Sequence, residues 1–353
     1  MKMKSAILTL GLCAMSTQVS ASYREVKFDN YTSDPQICQE KASEVGLQMM
    51  SAAHVNIVRT YCQPSTTESS RLSLVVGYQG SSDVAITSAA NDRYDGGYDV
   101  AADCENDLAN QIARFTSATG LAPLLSYCTP EHNFRIYALG SSLTHYYAFS
   151  IRLDSILSWP MHDPELTDAT AIEAAIYQAL TSKGMNLARV AVKSSPMTGS
   201  ALYVFYYGEH HDFRFGATAL VTLPTLASCE QHKSEISRIV ALTGVEPLVP
   251  FCAAERNDFD HIATLYMFGT QTPANPSSPL GDYRLQVPLK EVVSHQYAHL
   301  EDCRIEQGDV EQEEQATTSR LIVGSACTLP MQERPVVMGE PWYFRMLVFY
   351  NSN

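Results

Sequence analysis

Cysteines are the residues whose type and spacing point most directly to chemistry in this 353-residue chain. Eight of the nine form pairs that are 23 or 24 positions apart: Cys38/Cys62, Cys104/Cys128, Cys229/Cys252 and Cys303/Cys327. In an oxidising compartment, an even number of cysteines at a regular interval predicts disulfides. The sequence contains no CxxC pair, and four bonds would leave no thiolate for nucleophilic chemistry. The spacing therefore predicts four disulfides, each closed within its own segment.

The first 21 residues resemble a secretory signal peptide. Lys2 and Lys4 give a positive start, residues 5–15 are apolar, and the Val-Ser-Ala at 19–21 suits a signal peptidase. We therefore expect an exported protein, periplasmic or extracellular, whose mature chain begins near Ser22 and contains no membrane span. Without the two leader lysines, 22 basic residues remain against 38 acidic ones, a net charge of −16. Such a surface repels nucleic acid, which we exclude as a partner.

Two histidines near the C-terminal end have the residue type and spacing of metal ligands. His295 and His299 are four positions apart, which predicts a shared helical face, and Asp302 is the nearest third ligand. No glutamate occupies the metalloprotease position between them. The alternative is a half-buried histidine pair that precedes a helix. We favour the alternative and predict no metal site here.

Two acidic or histidine-rich stretches raise the same question. Residues 210–212 are His-His-Asp, but adjacent side chains on an extended chain point to opposite faces, which favours a polar hairpin. Asp92, Asp95 and Asp99 surround two glycines, without the alternating oxygen ligands and terminal glutamate of an EF-hand. The sequence also lacks a G-x-S-x-G stretch and any phosphate-binding glycine loop. We predict no cofactor.

Aromatic residues are concentrated around one predicted strand, residues 203–207, and the segments on either side of it. Aromatic side chains exposed together are typical of recognition sites for protein or glycan. The candidate binding residues are Tyr146, Tyr203, Tyr206, His210 and Phe213. The alternative for the aromatic residues is packing between neighbouring units of the chain.

The segments around the cysteine pairs repeat in sequence. TGLAPL at 119–124, followed by YC at 127–128, matches TGVEPL at 243–248 and FC at 251–252. Between these two segments, residues 168–192 contain a helical apolar stripe that ends at Gly184. Aligning Gly184 with Gly120 places Asp168 and Val192 where the other segments have cysteines. The chain therefore contains a cysteine-free third unit.

Each unit has the same succession of local patterns. A strand precedes a helix with a one-sided apolar stripe, and two strands separated by a polar turn follow it. We expect an α+β fold of five tandem β-α-β-β modules, four of them with an intramodule disulfide, each helix packed on a small, mostly antiparallel sheet. The predicted boundaries are a signal peptide at 1–21, modules at 22–84, 91–143, 144–209, 210–269 and 282–353, and a Pro/Ser linker at 270–281.

This architecture favours binding over catalysis. The order of elements in an exported chain is similar to tandem POTRA modules of bacterial envelopes, although those carry an additional helix and no motif matches. The leading hypothesis is a non-enzymatic binding or scaffold protein of the bacterial envelope, which recognises a protein or glycan through sheet edges or inter-module grooves. The alternative is an envelope hydrolase with a carboxylate or metal site between modules.

Overall fold

The computed structural model has an α+β architecture. It describes residues 22–66, 70–80, 83–91, 97–152, 164–166, 169–195, 199–208, 214–256, 261–272, 285–329 and 343–351. These residues form six helices and five small antiparallel sheets. The predicted signal peptide, His210, Phe213 and most of the predicted linker lie outside them.

The helices and strands of the described residues follow one another in this order: β1 (Ser22–Thr32), α1 (Pro35–Ala53), β2 (Asn56–Pro64), β3 (Leu72–Gly80), β4 (Ile86–Ala90), α2 (Ala101–Thr119), β5 (Pro123–Cys128), β6 (Phe134–Leu139), β7 (His145–Arg152), β8 (Pro164–Leu166), α3 (Ala169–Ser182), β9 (Asn186–Ser195), β10 (Gly199–Gly208), β11 (Arg214–Leu223), α4 (Leu226–Ala241), β12 (Val245–Arg256), β13 (His261–Gln271), β14 (Leu289–Tyr297), α5 (Leu300–Ile305), α6 (Gln307–Thr317), β15 (Ile322–Thr328) and β16 (Phe344–Tyr350).

All five sheets share one strand order. In each segment, the last strand lies in the middle of the sheet. A strand that precedes the helix pairs with one side of it, and the first strand after the helix pairs with the other side. The strand orders are β1-β3-β2, β4-β6-β5, β7-β10-β9, β11-β13-β12-β8 and β14-β16-β15. The fourth sheet has an additional strand because β8 pairs antiparallel with residues 253–255 of β12. The central strand of each sheet is therefore hydrogen-bonded on both sides.

All four predicted disulfides are present. They join Cys38 to Cys62, Cys104 to Cys128, Cys229 to Cys252 and Cys303 to Cys327, with Cα–Cα distances of 6.0 to 6.2 Å. Each bond links a helix to the next strand of the same segment. In the third segment, which has no cysteines, a hydrogen bond joins the helix to the next strand. The Val192 N–H of β9 donates to Glu173 Oε1 of α3 at 2.7 Å.

The chain divides into two compact units. One comprises Met1–Thr87, Ala122–Leu125 and Tyr137–Ser141, and the other comprises Ser88–Leu121, Ser126–Ile136 and Ser142–Asn353. In the first unit, α1 packs on the sheet β1-β3-β2. The helix begins where Asp34 accepts hydrogen bonds from the Gln36 and Ile37 N–H groups at 2.8 and 3.2 Å, with Pro35 in the first turn. Its buried face includes Ala42, Val45 and Met49.

In the second unit, α3 and α4 are each packed between two sheets. Ile172, Ile176 and Leu180 of α3 share one apolar cluster with residues of the third sheet and with Phe251 and Phe268 of the fourth. The helix α4 packs on the opposite face of the fourth sheet and also against Phe349 and other residues of the fifth. The fourth sheet is therefore covered on both faces, and the apolar residues of β13 form an almost continuous run.

Candidate binding surface

Two of the predicted binding residues are buried in the second unit. Tyr203 and Tyr206 are 6% and 4% exposed. The Tyr206 ring stacks on Tyr147 with a centroid distance of 5.1 Å, and it meets Phe215 of the neighbouring sheet edge-on at 6.0 Å. This burial agrees with the packing alternative. A role for the two tyrosines in binding stays a prediction.

Tyr146 packs on the other face of the third sheet. Its ring stacks on Phe205 at 6.4 Å and meets Phe134, which belongs to β6, at 6.3 Å. Next to it, Tyr207 contacts Phe115 of α2 edge-on at 6.3 Å. Burial raises the pKa of Tyr207 well above its usual value. Tyr146 and Tyr207 on one face of the sheet, and Tyr206 on the other, thus contact aromatic neighbours outside it.

His295 and His299 precede α5 and do not share the helical face that a metal site of this spacing would require. His295 lies in β14, and His299 is the extended residue immediately before α5. The strand ends at Tyr297, which pairs with Phe344 of β16, so the two histidines do not lie one turn apart on a helix. His295 lies near Ser294 Oγ and, at 3.7 Å, near Glu313. Among the described residues, no group of three histidine, cysteine, aspartate or glutamate side chains could hold a metal ion.

An organised group of exposed polar and aromatic side chains lies on the first sheet, on the face opposite α1. We call it the Tyr-Arg surface, and it consists of Tyr23 and Glu25 of β1 with Arg59 and Tyr61 of β2. Glu25 Oε1 accepts hydrogen bonds from Tyr23 Oη at 2.5 Å, Arg59 Nη2 at 2.8 Å and Tyr61 Oη at 3.0 Å. One carboxylate therefore holds three side chains from two strands.

Arg59 lies between the two tyrosine rings. Its Cζ atom is 5.4 Å from the Tyr23 ring centroid and 4.7 Å from the Tyr61 centroid, within the range of cation–π attraction. Its Nε atom also donates to Tyr23 Oη at 2.7 Å. The guanidinium is thus held by two nearby tyrosine rings and by hydrogen bonds to Tyr23 and Glu25. Among the described residues, Nη1 has no hydrogen-bond acceptor and is available to a ligand.

The central strand β3 makes this arrangement sterically feasible. Glu25 and Arg59 both pair with Gly77, which separates them across the sheet. A Cβ atom at Gly77 would lie 2.9 Å from Tyr23 Cζ, so the tyrosine ring lies directly on the glycine backbone. A register shift in β2 between Ile57 and Arg59 brings Arg59 into this row. A larger residue at this position would displace the ring, so the observed position of Tyr23 depends on glycine.

The hydrogen bonds of the Tyr-Arg surface change the proton affinities of its members. Hydrogen bonds from Tyr23 and then Arg59 hold the pKa of Glu25 below its usual value. The bond to Glu25 raises the pKa of Tyr23, and desolvation followed by the same carboxylate raises that of Tyr61. Near neutral pH the group therefore consists of a carboxylate, a guanidinium and two neutral phenols.

Lys27 and Asp29 extend the surface along β1. Lys27 Nζ lies 2.7 Å from Asp29 and 3.2 Å from Thr66 Oγ1, and Ser73 of β3 donates to Asp29 at 3.0 Å. Together with Glu25 and Arg59, these groups carry two positive and two negative charges. The patch is thus locally balanced in a strongly acidic protein, which allows a partner to approach without large repulsion.

The sequence alone does not bring the residues of the Tyr-Arg surface together. Tyr23 and Arg59 are 36 positions apart, and they meet only because both strands pair with β3. Gly77 was a usable signal, because a glycine inside the apolar run LVVGYQG indicates close approach of another group to the strand.

No family model, no curated protein and no solved structure matches the chain. Within the described part of the chain, none of the helices has the length and apolar character needed to cross a membrane.

Proposed function

We propose that this chain is a non-enzymatic binding protein, exported to a bacterial periplasm or to the outside of the cell, that recognises a protein partner through the Tyr-Arg surface. In this proposal the chain consists of five tandem β-α-β-β modules, four of them stabilised by an intramodule disulfide. The shared strand order of the five sheets and the positions of the disulfides support the repeat. The single observation that carries the function is the preorganised arginine of the first sheet.

An arginine held in place before binding favours high affinity. Ordering a long side chain at an interface costs about 0.5–1.5 kcal/mol, and here stacking and hydrogen bonds already restrict Arg59. Tyrosine and arginine are also the residue types that most often dominate protein–protein binding energy. The free Nη1 edge suits a carbonyl or carboxylate of the partner.

The geometry favours a protein over a glycan. The surface lies on the face of a sheet, and Tyr23 and Tyr61 turn ring faces toward Arg59 rather than leaving them free to stack on a sugar. Their hydroxyls and the Glu25 carboxylate already bond to each other, which leaves few groups to recognise sugar hydroxyls. The surface also favours binding over the alternative hydrolase, because its carboxylate is neutralised by Arg59.

The experiment compares capture of partners by matched variants of the full-length mature protein. The unmodified protein, Arg59→Ala, Gly77→Ala and the control Ile305→Ala are immobilised and exposed to the same envelope extract, and retained proteins are quantified by mass spectrometry. Ile305 is 79% exposed and lies in α5, away from the first sheet in the sequence. We expect at least one protein to be retained by the unmodified chain and the control and lost from both surface variants.

Unchanged retention by both surface variants would refute the proposed function. The same conclusion follows if no protein is retained by the unmodified chain but lost from Arg59→Ala. Circular dichroism of each variant before capture excludes loss by unfolding. Gly77→Ala adds a methyl group at the position of the Tyr23 ring and so displaces the ring. It therefore tests the arrangement of the surface without removing any of its functional groups.

A further inference from the structure

We infer that the outer edge of β1 is a pairing site for β1 of a second copy of this chain, which joins two first sheets into one continuous antiparallel sheet. The strand pairs with β3 in unbroken register from Ser22 to Phe28. No hydrogen bond joins the backbone of Ser22–Phe28 to a described residue outside β3. An unprotected strand edge of this length is a template for another strand.

Three other edge strands of the described residues, β2, β15 and β9, receive hydrogen bonds from within the chain. The edge of β2 receives a hydrogen bond from Gln39 Nε2 to Thr60 O at 3.3 Å, and β15 receives one from Gln307 Nε2 to Ser325 O at 2.8 Å. The edge of β9 is covered through Glu173, and β12 is paired with β8. The strand β1 contains no proline, and its register with β3 is shifted only after Phe28.

The charges of β1 select one register for this pairing. A two-fold axis perpendicular to the sheet places residues of the same face opposite each other. With Val26 opposite Val26 of the second copy, Glu25 lies opposite Lys27 on both sides of the axis, and two opposite-charge pairs form. Centring the axis on Glu25 would oppose two glutamates, and centring it on Lys27 would oppose two lysines. Centring it on Phe28 would oppose Lys27 to Asp29, but half of that pairing would lie beyond Phe28, where β1 leaves its unbroken register with β3. The pairing therefore commits to Val26 as its centre.

Charge exchange tests both the association and the register. We expect the unmodified mature protein to sediment with twice the monomer mass in the micromolar range. Glu25→Lys or Lys27→Glu alone should raise the dissociation constant about tenfold, because each replaces two attractive pairs by two repulsive ones. The double variant Glu25→Lys/Lys27→Glu restores complementary pairs and should restore the dimer. A monomeric unmodified protein, single variants without effect, or a double variant that stays monomeric would each overturn the inference.

Disulfide trapping provides an independent measurement of the register. Directly opposed residues of antiparallel strands have Cα–Cα distances of about 4.5–5.5 Å, which a disulfide can span. Val26→Cys should therefore form a covalent dimer under oxidising conditions, whereas the exposed α1 control Ser51→Cys should not. Failure of Val26→Cys to cross-link, or equal cross-linking of the control, contradicts the pairing.

This inference is independent of the proposed partner. Gly77→Ala displaces the Tyr23 ring from the face of the sheet but leaves the backbone edge of β1 and the Glu25 and Lys27 charges in place. That variant should lose the captured protein and remain a dimer. Lys27→Glu should do the reverse and bind the captured protein as a monomer, because it makes the edge pairs repulsive and leaves the Glu25 carboxylate that holds Arg59 in place.

Discussion

Truncation of one side chain in α4 should weaken two sheets together. Ile239 is 4% exposed and belongs to the apolar cluster that α4 forms with the fourth and fifth sheets. Ile239 also lies close to Gly324 of β15 in the fifth sheet. A Cβ atom added to Gly324 would be 3.1 Å from the Cγ1 and Cγ2 atoms of Ile239. Ile239→Ala therefore opens a cavity at the contact between the helix and the following sheet.

The expected loss follows from the carbons removed. Three buried methyl or methylene groups contribute about 2.4 kcal/mol at about 0.8 kcal/mol each. The unfilled cavity increases the cost, and large-to-small substitutions of this kind typically cost about 2–5 kcal/mol. We expect a loss of about 3 kcal/mol. The same substitution at Ile305, which is mostly exposed, should change the stability by no more than about 0.5 kcal/mol.

Native-state hydrogen exchange is the appropriate assay, because a chain with several cores need not unfold in one step. The amides of β13 and β16 should both lose protection in Ile239→Ala and keep it in Ile305→Ala. A cost below about 1 kcal/mol would refute the packing argument. Loss of protection in β13 with unchanged protection in β16 would show that α4 does not connect the two sheets.

Two further predictions concern polar contacts of the second unit. Glu173→Ala should cost about 1–3 kcal/mol because it leaves the buried Val192 N–H without its acceptor, whereas Glu173→Gln retains an acceptor oxygen and should cost less, as measured by urea denaturation. Equal costs would contradict this assignment. Burial opposes ionisation of Asp107, but hydrogen bonds from Gln111, Tyr98 and Asn110 outweigh it and lower its pKa. The stabilisation by the Asp107 carboxylate is thus present above the unfolded pKa of about 3.9 and is lost as the pH falls through the folded pKa. Below about pH 4, the urea midpoint of the unmodified protein should therefore decrease more steeply with falling pH than that of Asp107→Asn.

The parts of the fold that depend on local spacing were predictable. The constant interval between cysteines predicted all four disulfides, because each bond connects a helix to the next strand of the same segment. The helical stripe of Ile172, Ile176 and Leu180 predicted α3 in the cysteine-free segment. The α+β class follows from the same alternation of helix and strand patterns.

Contacts between distant segments were not predictable. The run Tyr203–Tyr207 is aromatic on both faces, which suits a strand covered on both sides, but periodicity does not show what covers it. The Tyr-Arg surface depends on a strand order that brings two segments to the same central strand. In the fifth segment, the glycine-containing acidic stretch allowed either a helix or a loop, and the structure has two short helices that meet at Glu306.

The sharing of helices between sheets also affects how this chain could be shortened or recombined. Besides its own sheet, α3 packs against the fourth sheet and α4 packs against the fifth. A cut before β11 therefore removes the surface on which α3 rests, although no β-α-β-β segment is interrupted. In a hybrid made by exchanging segments, a piece that contains α3 keeps the contacts of this helix only if it also contains the third and the fourth sheet. The boundaries suited to recombination therefore do not coincide with those marked by the repeat in the sequence.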